Sequence, residues 1–208
     1  IGEVPILEVV LRQLKYYGFT EVILAVNHLA ELIMAFFGDG RKLGLKIKYF
    51  IEDAPLGTAG SLSAIKGLKN DFLVMNGDLL TTINFKNFFE YHTSCKNDAT
   101  IATYKKEVKI DLGVLKIKNN DFNDYLEKPV YTFDVSMGIY AFNKKVIRDL
   151  ETAGKIDMPD FIKNLKSLGR KIKCYTDDYY WLDIGRVADY EQAVEIFKQR
   201  KEEFLPNG

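Results

Sequence analysis

Two aspartates and one lysine stand where metal and phosphate chemistry would need them. Asp78 closes the turn Asn76-Gly77-Asp78, directly after the apolar run Phe72–Met75. Ligands of open α/β sheets bind outside the carboxyl ends of strands. A carboxylate there is placed to hold Mg²⁺, a hard cation usually kept by one or two carboxylates plus phosphates. The same residue types also make an ordinary turn. Asp183 lies in Trp181-Leu182-Asp183-Ile184-Gly185-Arg186, ahead of a helix-like segment. It reads either as a helix cap or as a second metal carboxylate, in which case the fold must bring it to Asp78. Lys128, in Glu127-Lys128-Pro129, is predicted to be extended and outside any helix, because a proline follows it. It offers a point charge to phosphate; the alternative is a solvated ion pair at a strand end.

Two glycine-bearing stretches add to this set. Pro55-Leu56-Gly57-Thr58-Ala59-Gly60, preceded by Glu52 and Asp53, follows a strand-like run and opens a helix-like one. Gly57, Ala59 and Gly60 keep side chains away, so a ligand can touch backbone N–H groups directly. Thr58 has the side chain of a helix cap. A plain capped turn is the other reading. Gly113, in Leu112-Gly113-Val114, sits in a strand-like run, where a missing side chain suggests close approach of a ligand or another chain.

The elements that must position these residues are legible in the pattern of apolar residues. Leu7, Val10, Leu11 and Leu14 recur at helical spacing after Pro5, and Gly18 ends the run. Glu21–Asn27 is almost fully apolar, as in a strand buried on both faces. Asn27 is a candidate cap for a helix whose face is Leu32, Ile33, Phe36 and Phe37. Ile47–Ile51 reads as a strand, Thr58–Leu68 as a helix, Phe72–Met75 as a strand, and Phe85–His92 as a helix capped by Asn84. This alternation predicts an α/β fold: a Rossmann-like, doubly wound, mixed and mainly parallel sheet with helices on both faces. The second half has strand-like runs at Ala99–Tyr104, Leu112–Lys118, Tyr125–Glu127 and Val135–Phe142, with fewer helices, which implies antiparallel pairing there. Helix-like runs at 144–150 and 157–168, a strand-like run at 171–175 and a helix over 186–202, with Val187, Tyr190, Val194 and Phe197 inward, complete the chain.

Composition narrows the function classes. The 208 residues are 47% apolar, and 29 basic residues balance 29 acidic ones, which fits neither a general nucleic-acid binder nor a disordered chain. Cys95 and Cys174 form no zinc-type spacing and His28 and His92 are the only histidines, so a cysteine- or histidine-based metal centre is not expected. The apolar runs are too short to span a bilayer and no signal peptide is visible. A cytoplasmic enzyme or binding domain, occupying residues 1–208 as one unit, is the expectation.

Taken in order, Val4-Pro5-Ile6-Leu7, Pro55–Gly60, Asn76-Gly77-Asp78, Glu127-Lys128-Pro129, Ser136-Met137-Gly138-Ile139-Tyr140 and Trp181–Gly185 resemble the sugar-1-phosphate nucleotidylyltransferases over essentially the whole chain. Pro55–Gly60 and Asp157-Met158-Pro159-Asp160 look most like the guanylyltransferases acting on mannose-, heptose- or glucosamine-type 1-phosphates. The resemblance implies the nucleotide-diphospho-sugar transferase type of fold and a nucleoside triphosphate, GTP first, with a sugar 1-phosphate as partners. No nucleic acid or membrane is implied, and self-association is left open. It also implies that Gly57 and Thr58 contact the nucleoside, that Asp78 and Asp183 bind the catalytic Mg²⁺, and that Lys128 contacts the sugar phosphate. Glu127 and the Gly113 backbone would hold sugar hydroxyls, with Ser136 at a substrate-binding position that the family usually fills with Asn. Attack by the sugar phosphate oxygen on the α-phosphorus would release pyrophosphate, with catalysis by positioning and charge neutralisation.

The family's opening strand and Gly-rich loop have no counterpart between Ile1 and the Pro5-Ile6-Leu7 helix. The resemblance therefore makes this an N-terminally truncated chain, lacking the first strand and inactive as written. Two other classes fit less well. A non-catalytic nucleotide-sugar-binding regulator would be expected to lose its acids, and both are kept. A nucleotide-sugar glycosyltransferase would usually carry an Asp-x-Asp pair where only Asp78 stands.

Overall fold

A computed structural model describes residues 1–52, 54–150 and 154–206. Pro5, with φ −59°, opens α1 (Ile6–Tyr16); its fixed φ preorganises the first turn. A crossover through α2 (Ala30–Phe37) joins β1 (Glu21–Val26) to β2 (Lys46–Ile51), and the two strands pair in parallel. Next come α3 (Gly57–Ala64), β3 (Asp71–Met75), β4 (Leu79–Thr81) and α4 (Phe85–Ser94). Asn84 caps α4, its side chain accepting from the Asn87 N–H. Four strands then follow without an intervening helix: β5 (Ala99–Lys109), β6 (Val114–Lys118), β7 (Asp121–Leu126) and β8 (Val130–Asn143). The chain ends with a 3-10 segment (Lys144–Asp149), α5 (Met158–Ser167), β9 (Ile172–Tyr175), β10 (Trp181–Asp183), α6 (Val187–Gln199) and α7 (Lys201–Phe204).

The fold is α/β with a mixed sheet. Strands run β3-β8-β5-β9 in the largest sheet, with β8 antiparallel to both neighbours and β9 parallel to β5. The balance leans further toward antiparallel pairing than the first half of the sequence suggests. Among the described residues only β1–β2 and β5–β9 are parallel ladders, against four antiparallel ones. Part of the reason is connectivity: parallel pairing needs a crossover of a dozen residues or more, whereas β6 and β7 are joined by a tight reversal and the hairpin they form returns the chain from β5 into β8. β1 has one partner strand, so it is half-buried rather than buried on both faces.

α1 is the hub of the packing. Val10 and Leu14 pack with Leu79, Ile83, Phe85 and Phe88; Leu11 packs with Leu45 and Ile47; Val9 packs with Leu80, Leu182 and Phe197. Four buried apolar side chains at ~1.5–3 kcal/mol each outweigh any single hydrogen bond, worth ~0.5–1.5 kcal/mol. Burial therefore holds α1 in place. Its register on β4 is fixed by the buried Gln13, whose Nε2 donates to the Thr81 carbonyl at 2.8 Å.

Two helix faces differ from expectation. α2 buries none of its residues, with Leu32 and Phe36 more than half exposed, because a two-stranded sheet is too narrow to cover it. Its N-cap is Leu29 in the left-handed region, not Asn27. In α6, Ala193 and Phe197 point inward while Val187 and Tyr190 face solvent, because the three-residue β10 is too short to cover the first turn. No described helix is long and apolar enough to cross a membrane.

Gln13→Leu keeps the helix and removes the bond, leaving the Thr81 carbonyl unpaired in the core. The expected loss is about 1–3 kcal/mol, read as a lower urea midpoint at unchanged slope. An unchanged midpoint would show that Gln13 does not fix the register.

Candidate active site

A bulge in β8 organises one end of the largest sheet. The β5–β8 register passes from Ile101↔Tyr140 to Thr103↔Ser136, so Met137, Gly138 and Ile139 oppose Ala102 alone. Gly138 has φ +71°, and a Cβ there would stand 2.9 Å from Asn76 Nδ2, so the turn and the close approach both require glycine. The carbonyls at the bulge are used. The Asn76 N–H donates to the Gly138 carbonyl at 3.0 Å, and Trp181 Nε1 donates to the Met137 carbonyl at 3.0 Å. One irregularity in β8 thus anchors the residue before Gly77-Asp78 and the residue that begins β10.

β10 lies antiparallel to β4, with Asp183 opposite Leu79, and the Ile184 N–H donates to the Asp78 carbonyl at 3.1 Å. Asp78 and Asp183 are therefore neighbours across one ladder. Thr81 Oγ1 donates to the Tyr180 carbonyl at 2.9 Å, and the Tyr180 N–H donates to Thr82 Oγ1 at 2.9 Å, which extends this short pairing. Burial, and then the nearby Asp78 and Asp189, push the Asp183 carboxyl above its ordinary value. Neither Asp78 nor Asp183 has a basic partner in ion-pair contact among the described residues. Two nearby carboxylates without a basic partner suit a hard cation that completes its shell with phosphate and water. No cluster of three His, Cys, Asp or Glu able to hold a metal occurs among the described residues.

Asp183 lines a cavity of about 280 Å³, together with Thr58, Asn76, Ser136, Tyr140, Met158 and Trp181. Ser136 Oγ and the Tyr140 hydroxyl lie 2.9 Å apart, and the Ser136 oxygen also accepts from the Gly138 N–H at 3.3 Å. Trp181 is half-buried, packed 5.6 Å from Tyr104, and serves as a wall rather than as pure core.

The Pro55–Gly60 stretch departs from expectation. Three N–H groups of its helix start, those of Thr58, Ala59 and Gly60, are already taken. Asp157 Oδ1 accepts from the Thr58 N–H at 3.0 Å, and the Ile156 carbonyl accepts from Ala59 and Gly60 at 3.1 and 3.2 Å. Thr58 does not cap α3; its Oγ1 accepts from the Met158 N–H at 2.8 Å and so caps α5. The cause is packing of the two helix starts against each other, which satisfies both sets of donors internally. Gly57 has φ +80°, and a Cβ there would stand 2.5 Å from the Ile156 carbonyl oxygen. Asp53 lies outside the described residues. Asp183 ends β10, and Arg186 is the N-cap of α6, so Asp183 is not a helix cap.

Glu127, Lys128 and Gly113 are not brought to the cavity. Lys109↔Val130 lies six ladder positions from Thr103↔Ser136, roughly 20 Å along the strand at ~3.3 Å per residue. Lys128 has φ +45°, not the extended backbone its proline neighbour suggested, because three residues must reverse the chain from β7 into β8. It is exposed and makes no ion pair among the described residues. Gly113 stands just before β6, and the Tyr125 hydroxyl and ring of its own hairpin approach it. Sequence reasoning missed Asp157 as a site residue; an Asp directly before Met158-Pro159 is a visible cap signal, but nothing local shows that it caps another helix.

The pair at the ladder has a measurable consequence. A carboxyl raised above its unfolded value binds its proton more tightly in the folded state, so stability falls as pH rises from the ordinary carboxylate range through the raised value. Asp183→Asn is expected to remove that slope. At pH 7 without divalent cations it should be as stable as the wild type or more stable by about a few tenths of a kcal/mol, small because the carboxylate is only partly desolvated and still reaches solvent. Thermal melts across pH 3.5–7 would detect it; a clearly less stable variant would contradict the raised carboxyl.

The profile of the nucleotidyl transferase family matches residues 1–200. The chain is 33% identical over 196 residues to a D-glycero-alpha-D-manno-heptose 1-phosphate guanylyltransferase of Campylobacter jejuni, covering 91% of this chain and 85% of that protein. It is 29% identical over 211 residues to a UTP--glucose-1-phosphate uridylyltransferase of Synechocystis, covering 91% of this chain and 54% of that protein. The chain thus spans about half the length of the longer relatives. HddC from Yersinia pseudotuberculosis, solved in complex with GMP-PN, superposes with a TM-score of 0.69 at 26% identity, covering 93% of this chain and 85% of that one.

Proposed function

The chain belongs to the nucleotidyl transferase family, and on that footing we propose that it transfers a nucleotidyl group from a nucleoside triphosphate to a sugar 1-phosphate. GTP is the favoured donor. The observation that carries the reading is the pairing of β4 with β10, which sets Asp78, the residue before β4, near Asp183, and Asp183 lines the cavity. The guanylyltransferase relative and the GMP-PN-bound neighbour support guanine, against one uridylyltransferase.

In this reading a phosphate oxygen of the sugar 1-phosphate attacks the α-phosphorus of the triphosphate. The new P–O bond forms as the bond to the β-phosphate oxygen breaks, and pyrophosphate leaves with that electron pair. Asp78 and Asp183 would hold Mg²⁺, which would supply neutralisation of phosphate charge. Thr58, Tyr140 and Ser136 shape the cavity wall against the uncharged parts of the substrates, and the half-buried Trp181 restricts water on one side. Lys128 is assigned the acceptor phosphate by its Glu127-Lys128-Pro129 setting and its free amine, and Glu127 and the Gly113 backbone the sugar hydroxyls. Those three assignments require the outer ends of β5 and β8, with β6 and β7, to close roughly 20 Å onto the cavity, because the acceptor phosphate must reach the α-phosphorus that Asp78 and Asp183 serve.

The direct assay is pyrophosphate release from the full natural protein with GTP, UTP, dTTP, CTP and ATP against mannose, heptose, glucose and glucosamine 1-phosphates. Release that depends on both substrates, fastest with GTP, is expected; absence of release with every pair would refute the reading. Lys128→Ala should raise the KM for sugar 1-phosphate roughly tenfold or more, the worth of a charge-assisted contact of ~1.5–3 kcal/mol, with nucleotide KM little changed. Equal losses for both substrates would remove Lys128 from the acceptor site.

A further inference from the structure

We propose that Asp157 is a positioning residue for the donor nucleotide, because it locks the start of α3 to the start of α5 and so sets one wall of the cavity. The inference rests on the proposed nucleotidyl transfer.

Asp157 occupies the N-cap position of α5 with φ −91° and ψ 155°, the backbone of an ordinary cap, yet its side chain makes no cap bond in its own helix. Its Oδ1 accepts instead from the Thr58 N–H in α3 at 3.0 Å. Thr58 returns the exchange, its Oγ1 accepting from the Met158 N–H in α5 at 2.8 Å while lying 3.5 Å from Asp157 Oδ1. The backbone beside them repeats the pattern. The Ile156 carbonyl takes the Ala59 and Gly60 N–H groups, and the Ile156 N–H donates to the Leu56 carbonyl at 2.9 Å. Each helix is thus capped by the other, across about one hundred residues of sequence. Thr58 and Met158 both line the cavity.

The charge matters as well as the geometry. A helix start with free N–H groups draws phosphate. Here the Asp157 carboxylate already takes the Thr58 N–H, and the Ile156 carbonyl takes those of Ala59 and Gly60. The α3 start therefore acts as a wall against the uncharged nucleoside, while phosphate charge is left to the Asp78–Asp183 end. Gly57 is part of the same device: a Cβ would stand 2.9 Å from Asp157 Oδ1 as well as against the Ile156 carbonyl oxygen.

The test compares wild type, Asp157→Ala, Asp157→Asn and Thr58→Val in the full natural protein. It measures GTP dissociation constants by calorimetry, KM and kcat for both substrates, and amide exchange at Thr58, Ala59 and Gly60. Asp157→Ala is expected to speed Thr58 exchange and to weaken GTP about tenfold, in KM and dissociation constant alike, with kcat and sugar phosphate KM changed little; misplacements near 1 Å have effects of this size or larger. Asp157→Asn keeps an acceptor oxygen and should restore most of the affinity. Thr58→Val keeps the Thr58 N–H bond to Asp157 and removes only the Met158 cap, so it should weaken GTP less and leave Thr58 exchange slow, which separates the two halves of the lock. Faster exchange with unchanged GTP affinity, or equal damage to every kinetic constant without rescue by Asn, would overturn the positioning role. A wild type that binds no nucleoside triphosphate would refute the proposed function before any variant is compared.

Discussion

A three-residue antiparallel ladder sets Asp183 near Asp78, the residue just before β4, and the packing around it serves to hold that ladder in place. A three-residue ladder between β4 and β10 would not hold two like charges together unaided. It is held by burial of Leu79, Leu80 and Leu182, by α1 packed across it, and by hydroxyl bonds from Thr81 and Thr82. Apolar burial of ~1.5–3 kcal/mol per side chain exceeds the screened repulsion of two exposed carboxylates. The fold can therefore keep a site that is mildly unfavourable when empty of charge partners.

The same logic of supporting a site from outside recurs at the bulge in β8. Gly138 lets Asn76 approach, and the freed carbonyls of Met137 and Gly138 fasten Trp181 and Asn76. One backbone irregularity thereby orients both acid-bearing turns, at the cost of local ladder bonds. On the opposite wall the reciprocal caps of α3 and α5 satisfy buried helix donors and fix Thr58 beside Met158. The cavity is bounded by two locked walls, each held mostly by backbone.

Much of this was legible in the sequence, and the limits are physical. Asp78 and Asp183 could be singled out because each follows an apolar run, and a short acid after a strand has few roles. Asn84 as a cap and α1 after Pro5 followed from local rules that tertiary contacts did not override. The Lys128 backbone did not follow, since the length of the reversal between β7 and β8 outweighed the pre-proline preference. Val187, Tyr190, Leu32 and Phe36 were misplaced because helical periodicity gives a face but not the width of the sheet that must cover it. The capping exchange was invisible because Thr58 and Asp157 each look like a cap for their own helix, and only packing shows that they trade partners.

The central claim is that Asp78 and Asp183 together hold one divalent cation against the triphosphate. The most direct measurement is a crystal structure of the full natural protein with Mn²⁺ and a non-hydrolysable GTP analogue, with the metal located by anomalous scattering. The account predicts one Mn²⁺ bound directly by a carboxylate oxygen from each aspartate, at about 2.1 Å as for Mg²⁺, and shared with phosphate oxygens. A metal bound by phosphate alone, or by residues elsewhere with both carboxylates free, would contradict it.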